Sequence, residues 1–219
     1  MTKKLLRLGS RGFTIVELLV ATVVFGVVLL VITVAILQFS RVYYKGVTES
    51  NTQEAARAVV DRIAQSIQFN GGIVTVTPPR PAGAGNPAAP QAFCVGNQQY
   101  TYVVGRQLVD SAPVAGQNQS WHTLVVRDLA GCTAASPTPP MNTAATTGQE
   151  LLSPGMRLAK MKVESLGGNL YKVSVRVVAG IKELVFNDDA ETARCETFQS
   201  GTQFCAVADI STVVTKRIE

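Results

Sequence analysis

Residues 12–37, GFTIVELLVATVVFGVVLLVITVAIL, decide how this chain is read. Residues 18–37 carry no charge, and only Thr22, Gly26 and Thr33 interrupt the larger apolar and alanine side chains. As a helix, at about 1.5 Å of rise per residue, this run spans roughly 30 Å, the thickness of a bilayer's hydrocarbon core. The core helix of a soluble domain would keep a polar face at helical spacing, whereas this stretch is apolar all round. A cleavable secretory signal has an apolar region of about 7–15 residues ended by a small-residue cleavage site. The run here is longer and no such site follows it, so it reads as a membrane-compatible helix.

The flanks give that helix a direction. Lys3, Lys4, Arg7 and Arg11 precede it, and only Arg41 and Lys45 follow closely. The excess of basic residues marks the cytoplasmic side, so the N-terminus is expected inside the cytoplasmic membrane, as a single pass, with the remainder exported. The same four residues account for most of the chain's basicity. The full sequence has a formal charge of +5, but beyond residue 12 there are 16 basic against 15 acidic residues. So balanced a body lacks the broad positive field of non-specific nucleic-acid binders, and nucleic acid is not indicated as a partner. A length of 219 residues allows one domain plus a long helical extension.

Glu17 does not fit a plain anchor. An acid in a membrane helix costs about 2–3 kcal/mol even on lenient insertion scales, and less near the interface. Its context supplies a reason. Arg11, then Gly12-Phe13-Thr14-Ile15-Val16-Glu17, then an apolar helix, resembles the cleavage and methylation signature of type IV prepilins and type II secretion pseudopilins. The resemblance implies that prepilin peptidase cuts between Gly12 and Phe13, and that the new amine of Phe13 is N-methylated. Cleavage would create a cationic α-amine at the end of an apolar helix, and methylation leaves that charge in place. Amine and carboxylate are each costly in hydrocarbon, and both are relieved if the Phe13 amine of one subunit meets Glu17 of the next. The two partners lie on different surfaces of a subunit, so the contact is head-to-tail and propagates as an open filament. Many major pilins carry a helix-breaking Pro about two dozen residues into the mature chain. None occurs in this run, which favours a minor pilin and leaves Gly26 as the place for any local melting.

Four segments are expected: a cleaved leader at residues 1–12, a membrane or fibre-core helix at 13–40, an amphipathic continuation at 41–70 and a β-rich head at 71–219. In the continuation Ala56, Val59, Val60, Ile63 and Ile67 recur at helical spacing, with Arg57, Asp61, Arg62, Gln65 and Gln68 mostly on the other face. Asn70-Gly71-Gly72 is a stop signal. The head reads as short strands near residues 72–77, 99–104 and 121–128. Two longer ones, 156–165 and 170–179, flank Leu166-Gly167-Gly168-Asn169, a hairpin turn sequence. A last strand is expected over 206–218. Residues 78–92 and 133–149, rich in Pro, Ala, Gly, Thr and Asn, read as exposed loops. The fold class is α+β, a long helix packed on a mainly antiparallel sheet, and pilin heads are built that way.

Cys94, Cys132, Cys195 and Cys205 all lie in the part expected to be exported, where an even count favours disulfides. Three pairings are possible. Many pilins close a C-terminal loop with a disulfide, which favours Cys195 with Cys205 and leaves Cys94 with Cys132. Metal binding is disfavoured by the absence of any C-x-x-C spacing and by a single histidine, His122, which reads as a strand residue. Asn187-Asp188-Asp189 with Glu191 is either an acidic turn or, since some pseudopilins bind calcium near the C-terminus, a calcium candidate. No nucleophile elbow, phosphate loop or ligand pair at helical spacing is present, so neither enzyme activity nor a cofactor is expected.

Val60-Asp61-Arg62-Ile63, Val173-Ser174-Val175-Arg176-Val177 and Ser211-Thr212-Val213-Val214-Thr215-Lys216-Arg217 resemble the larger minor pilins of the PilW kind and the GspJ-like pseudopilins. That likeness implies a subunit present in few copies near the fibre tip. Its partners would be other pilin subunits, prepilin peptidase and an inner-membrane assembly platform. A surface pilus for adhesion, twitching or DNA uptake is the first reading and a periplasmic pseudopilus of type II secretion the second. A third is a single-pass anchored exported domain in which the pattern at 12–17 is coincidental.

Overall fold

The computed structural model describes residues 12–70, 73–76, 89–132, 137, 141–187, 191–197 and 199–217. The chain divides between Tyr43 and Tyr44 into two compact units. One helix, α1 (Ile15–Phe69), crosses that division.

In the first unit the helix is long and apolar enough to cross a membrane, with a mean hydropathy of 3.0 over its most apolar window and none of that window buried. The few polar side chains here are neutralised locally. Thr22 Oγ1 donates to the Leu19 carbonyl at 2.9 Å, Thr33 Oγ1 to Leu29 at 2.8 Å and Ser40 Oγ to Ile36 at 2.9 Å. Each hydroxyl is satisfied by its own helix, so two threonines can sit in an apolar run without presenting an unmet donor to hydrocarbon.

In the second unit α1 becomes one-sided. Thr52, Ala56, Val59, Val60, Ile63, Ser66 and Ile67 are buried, three or four residues apart, as a helix facing a core requires. Eleven strands follow among the described residues: β1 (Gln91–Val95), β2 (Gln98–Tyr102), β3 (Gln107–Leu108), β4 (Gln119–Ser120), β5 (Leu124–Asp128), β6 (Gln149–Glu150), β7 (Met156–Gly167), β8 (Leu170–Ala179), β9 (Val185–Phe186), β10 (Arg194–Cys195) and β11 (Ala206–Thr215). They form a four-stranded sheet in the order β1-β2-β5-β6, a five-stranded sheet β11-β8-β7-β3-β4, and the pair β10-β9. β3 and β4 run parallel and the other paired strands antiparallel.

Both larger sheets contribute to one core with the helix. Phe93, Tyr100, Tyr102 and Leu124 from the first sheet, and Leu158, Val163, Val173, Val175 and Val177 from the second, cluster with Val59, Val60, Ile63 and Ile67. Full burial of each aliphatic side chain stabilises by about 1.5–3 kcal/mol, so this seam holds the helix to the sheets. The Phe93 and Tyr100 rings stack at 4.9 Å, and the Tyr100 hydroxyl lies 2.6 Å from Ser66 Oγ, joining β2 to the helix inside the core. A smaller cluster of Ala159, Val178, Leu184, Val185, Ala193 and Cys205 holds the C-terminal loop.

The arrangement is α+β with mostly antiparallel sheets, consistent with a pilin fold. β7 and β8 form the expected hairpin. Gly167 and Leu170 pair across a two-residue turn, and Gly167 and Gly168 have φ of 102° and 57°, which glycine adopts without strain. Elsewhere the short elements depart from expectation. Of residues 72–77 only Val74 forms a bridge, to Val95, while 72 and 77 lie outside the described residues. The strand expected at 121–128 begins at Leu124. Two segments read as exposed loops are partly structural: Gln91 and Ala92 open β1, Met141 is buried and Gln149 belongs to β6. Single apolar residues in Pro- and Ala-rich context carry no periodicity, so tertiary contacts alone recruit them. Residues 78–88, 133–136 and 138–140 of those segments lie outside the described residues.

Candidate processing and assembly site

Residues 12–14 precede the helix without helical structure, and all three are exposed. The first helical bond runs from the Leu18 amide to the Thr14 carbonyl at 3.1 Å, which makes Thr14 the N-cap. Its hydroxyl accepts from the Glu17 amide at 3.2 Å. In return Glu17 Oε2 accepts from both the Thr14 amide and the Thr14 hydroxyl, each at 3.0 Å. This is a reciprocal capping box, and its sequence sign, Thr-x-x-Glu before an apolar run, is present at 14–17. It adds to what charge alone says of Glu17. The carboxylate closes the exposed N–H groups at the positive end of the helix dipole, so its placement is stabilising even in the isolated chain.

Gly12 and Phe13 stand just outside that cap. A Cβ built on Gly12 would meet nothing within 4 Å, so packing within the chain does not demand glycine there. Phe13 is 83% exposed, and the Gly12–Phe13 peptide lies outside the helical ladder. Residues 1–11 lie outside the described residues.

The head contains other chemistry-bearing groups. Cys94 and Cys132 form one disulfide and Cys195 and Cys205 the other. His122 lies between β4 and β5, buried, with Nδ1 3.6 Å from Glu150 Oε2 and neither ring nitrogen hydrogen-bonded. Glu150 Oε2 accepts from the Thr123 amide at 2.9 Å, and Oε1 from the Leu124 and Leu152 amides at 3.0 and 3.1 Å. Burial outweighs these bonds and pushes the Glu150 carboxyl up to about 7. No sequence signal marks this pair, because its members are far apart in the chain and no local motif links them. Burial likewise raises the Tyr100 and Tyr102 hydroxyls.

For the calcium candidate, Asp188 and Asp189 lie outside the described residues. Glu191 is described, and its Oε2 lies 3.6 Å from Lys160 Nζ while its backbone carbonyl accepts from Arg176 Nη1. Its carboxylate is thus drawn to a cation of the protein itself. No group of three or more metal-ligating side chains occurs among the described residues. A cleft of about 290 Å³ beside Thr48, Asn51 and Thr52 is lined by Gln107, Met156, Leu184 and Phe204 among others, and among the described residues no acid, base or thiol lines it.

Residues 7–33 match the family model described as the prokaryotic N-terminal methylation motif. No curated protein and no solved structure matches the chain. The match spans the basic residues Arg7 and Arg11, the Gly12–Phe13 junction, the Thr14–Glu17 cap and most of the apolar run. That motif belongs to structural subunits rather than enzymes, and it implies processing by prepilin peptidase and assembly with other pilins. With one long apolar helix behind the motif, a single-pass membrane-anchored form fits. The chain carries the N-terminal signature of type IV pilin-like proteins.

Proposed function

We propose that this chain is the precursor of a minor type IV pilin, cut between Gly12 and Phe13, N-methylated at Phe13 and assembled into a surface filament. The observation that carries the reading is the methylation motif set on an unburied apolar helix that starts at a capped Glu17. In this reading residues 1–12 are the leader, 13–40 enter the membrane and then the fibre core, 41–70 continue the helix and 71–219 form the head. Glu17 exchanges its local cap for the Phe13 amine of a neighbouring subunit, which supplies registry along the fibre. The absence of Pro from the apolar run supports the minor class. A pseudopilin of type II secretion uses the same chemistry and differs in where the fibre is found.

Intact mass and N-terminal sequencing of the protein from its native host test the pathway. A chain that begins at N-methylated Phe13 is expected. A chain still beginning at Met1 would overturn the proposal in favour of a plain membrane anchor. Recovery in sheared surface fibres marks a pilus, whereas confinement to the cell envelope marks a pseudopilus. Glu17→Ala should be cleaved and inserted yet lose at least about tenfold of its incorporation into fibres, as expected when one charge of a desolvated pair is left alone. Wild-type incorporation by that variant would remove the charge-pairing role.

A further inference from the structure

The five-stranded sheet of the head ends in β11 (Ala206–Thr215), which pairs with β8 on one side. Among the described residues no strand pairs with its other side; β10 is tied beside it by the Cys195–Cys205 disulfide but pairs with β9. The other edges of the two larger sheets are short or occupied. β4 and β6 have two residues each. β1 is met by residues 73–76, where the Thr75 amide donates to the Cys94 carbonyl at 2.9 Å and the Gly96 amide to the Ile73 carbonyl at 3.0 Å. The register fixes which groups of β11 face outward. It pairs with β8 without interruption from Ala206 with Ala179 to Thr215 with Leu170, and the Lys216 amide donates to the Asn169 carbonyl at 2.8 Å in the same register. Alternate residues of an antiparallel strand bond to each side. Lys216 turns toward β8, so the even-numbered residues of β11 do the same, and Val207, Asp209, Ser211, Val213 and Thr215 direct their N–H and C=O groups away from the sheet.

An open edge is a template for another strand, and proteins blunt it with Pro, Lys, a bulge or an inward-facing charge. β11 has none of these. Its sequence, AVADISTVVT, contains no Pro or Lys, its register is unbroken, and the side chains on its inner face are uncharged. Its one charged residue, Asp209, accepts from Arg176 Nε at 3.0 Å across the sheet. The core also stops short here: Ile210 packs against it yet is only half-buried, so one more strand would cover it. A row of alternating N–H and C=O groups takes an extended backbone as its occupant. The strand that complements this row is β11 itself. With two copies antiparallel about a two-fold axis at Ser211, Ser211 faces its own copy, Asp209 faces Val213 of the second copy and Val207 faces Thr215 of the second copy. Every outward-directed residue thus bonds to another. Moving the axis by one residue either way leaves one of them facing chain beyond the strand. Charge agrees with this register, since each Asp209 stands between Arg176 of its own chain and a valine, and no like charges face each other.

We propose that β11 is a self-pairing surface: two heads join edge to edge through antiparallel β11 strands about a two-fold axis at Ser211, and their five-stranded sheets become one continuous sheet. The contact belongs to the head alone and does not depend on cleavage or methylation at Gly12–Phe13.

The test uses the full chain, solubilised in detergent with its two disulfides intact. Facing Cα atoms of a hydrogen-bonded pair stand about 5.5 Å apart, within reach of a disulfide, so Ser211→Cys should oxidise to a covalent dimer about fivefold more than Ser165→Cys, an exposed position beside the β7–β8 turn. Ser211→Pro removes an outward N–H and no bond to β8. The variant should unfold in urea as the parent does, while its dimer, followed by sedimentation, weakens about tenfold or more. A parent chain that sediments as a monomer would overturn the proposal, as would equal cross-linking at 211 and 165. A dimer that survives Ser211→Pro unchanged would also overturn it and place the contact elsewhere on the chain, the apolar helix included. If Ser211→Pro lowers the stability of the head, the cysteine comparison decides by itself.

Discussion

Replacing Glu150 by glutamine should flatten the dependence of head stability on pH. The folded-state carboxyl sits at about 7 because burial disfavours its charge, against an ordinary value of 4.5. A carboxyl raised in this way contributes stability that is fully present below its unfolded value and is lost as pH rises through the folded one. Integrating between those limits, wild type should lose about 2.5 kcal/mol from this group between about pH 5 and pH 8. The side chain is only 17% exposed, so solvent screening takes little from that figure. Glu150→Gln keeps an acceptor for the Leu124 and Leu152 amides but presents an amide to the Thr123 N–H, which costs about 1–2 kcal/mol at acid pH. The variant should therefore be the weaker protein near pH 5 and match or exceed wild type near pH 8. Urea unfolding followed by the single tryptophan, Trp121, reads the difference directly. A wild-type profile that is flat or rises over this range would refute the reasoning, as would an unchanged slope in Glu150→Gln.

The two disulfides should differ in worth. Removing Cys94–Cys132, which closes a separation of 38 residues, should cost about 4 kcal/mol, and removing Cys195–Cys205, with a separation of 10, about 3 kcal/mol, by the chain-entropy rule. Paired serine variants compared by urea unfolding check the order. Ile63→Ala, at a fully buried position between helix and sheets, should cost about 2–5 kcal/mol, whereas truncating exposed Leu30 in the apolar run should leave head unfolding unchanged.

Legibility in the sequence followed the length of each signal. Long periodic segments could be read. The apolar run and the amphipathic half predicted a helix over 13–69, found at Ile15–Phe69, and the glycine turn at 167–168 predicted the β7–β8 hairpin. Two-residue strands such as β3, β4, β9 and β10 were not, because so short a strand has no period and exists only through its neighbour. At the N-terminus the Thr-x-x-Glu spacing that makes the Thr14–Glu17 cap lies within the Gly-Phe-x-x-x-Glu pattern, so the cap was legible in the same residues. The His122–Glu150 pair could not be read, since what makes that carboxyl unusual is its burial, and burial comes from β4, β5 and β6 folding together.

The Thr14–Glu17 cap also bears on how subunits would join. Under the proposed charge pairing, a neighbour's amine would meet a carboxylate whose Oε2 already holds two hydrogen bonds. An amine seated on the other oxygen would add to the cap, whereas one that displaced it would have to return about 1 kcal/mol, a factor of about five in the equilibrium. The cap would then favour the approach that leaves it intact, and so narrow the directions from which a neighbour is retained.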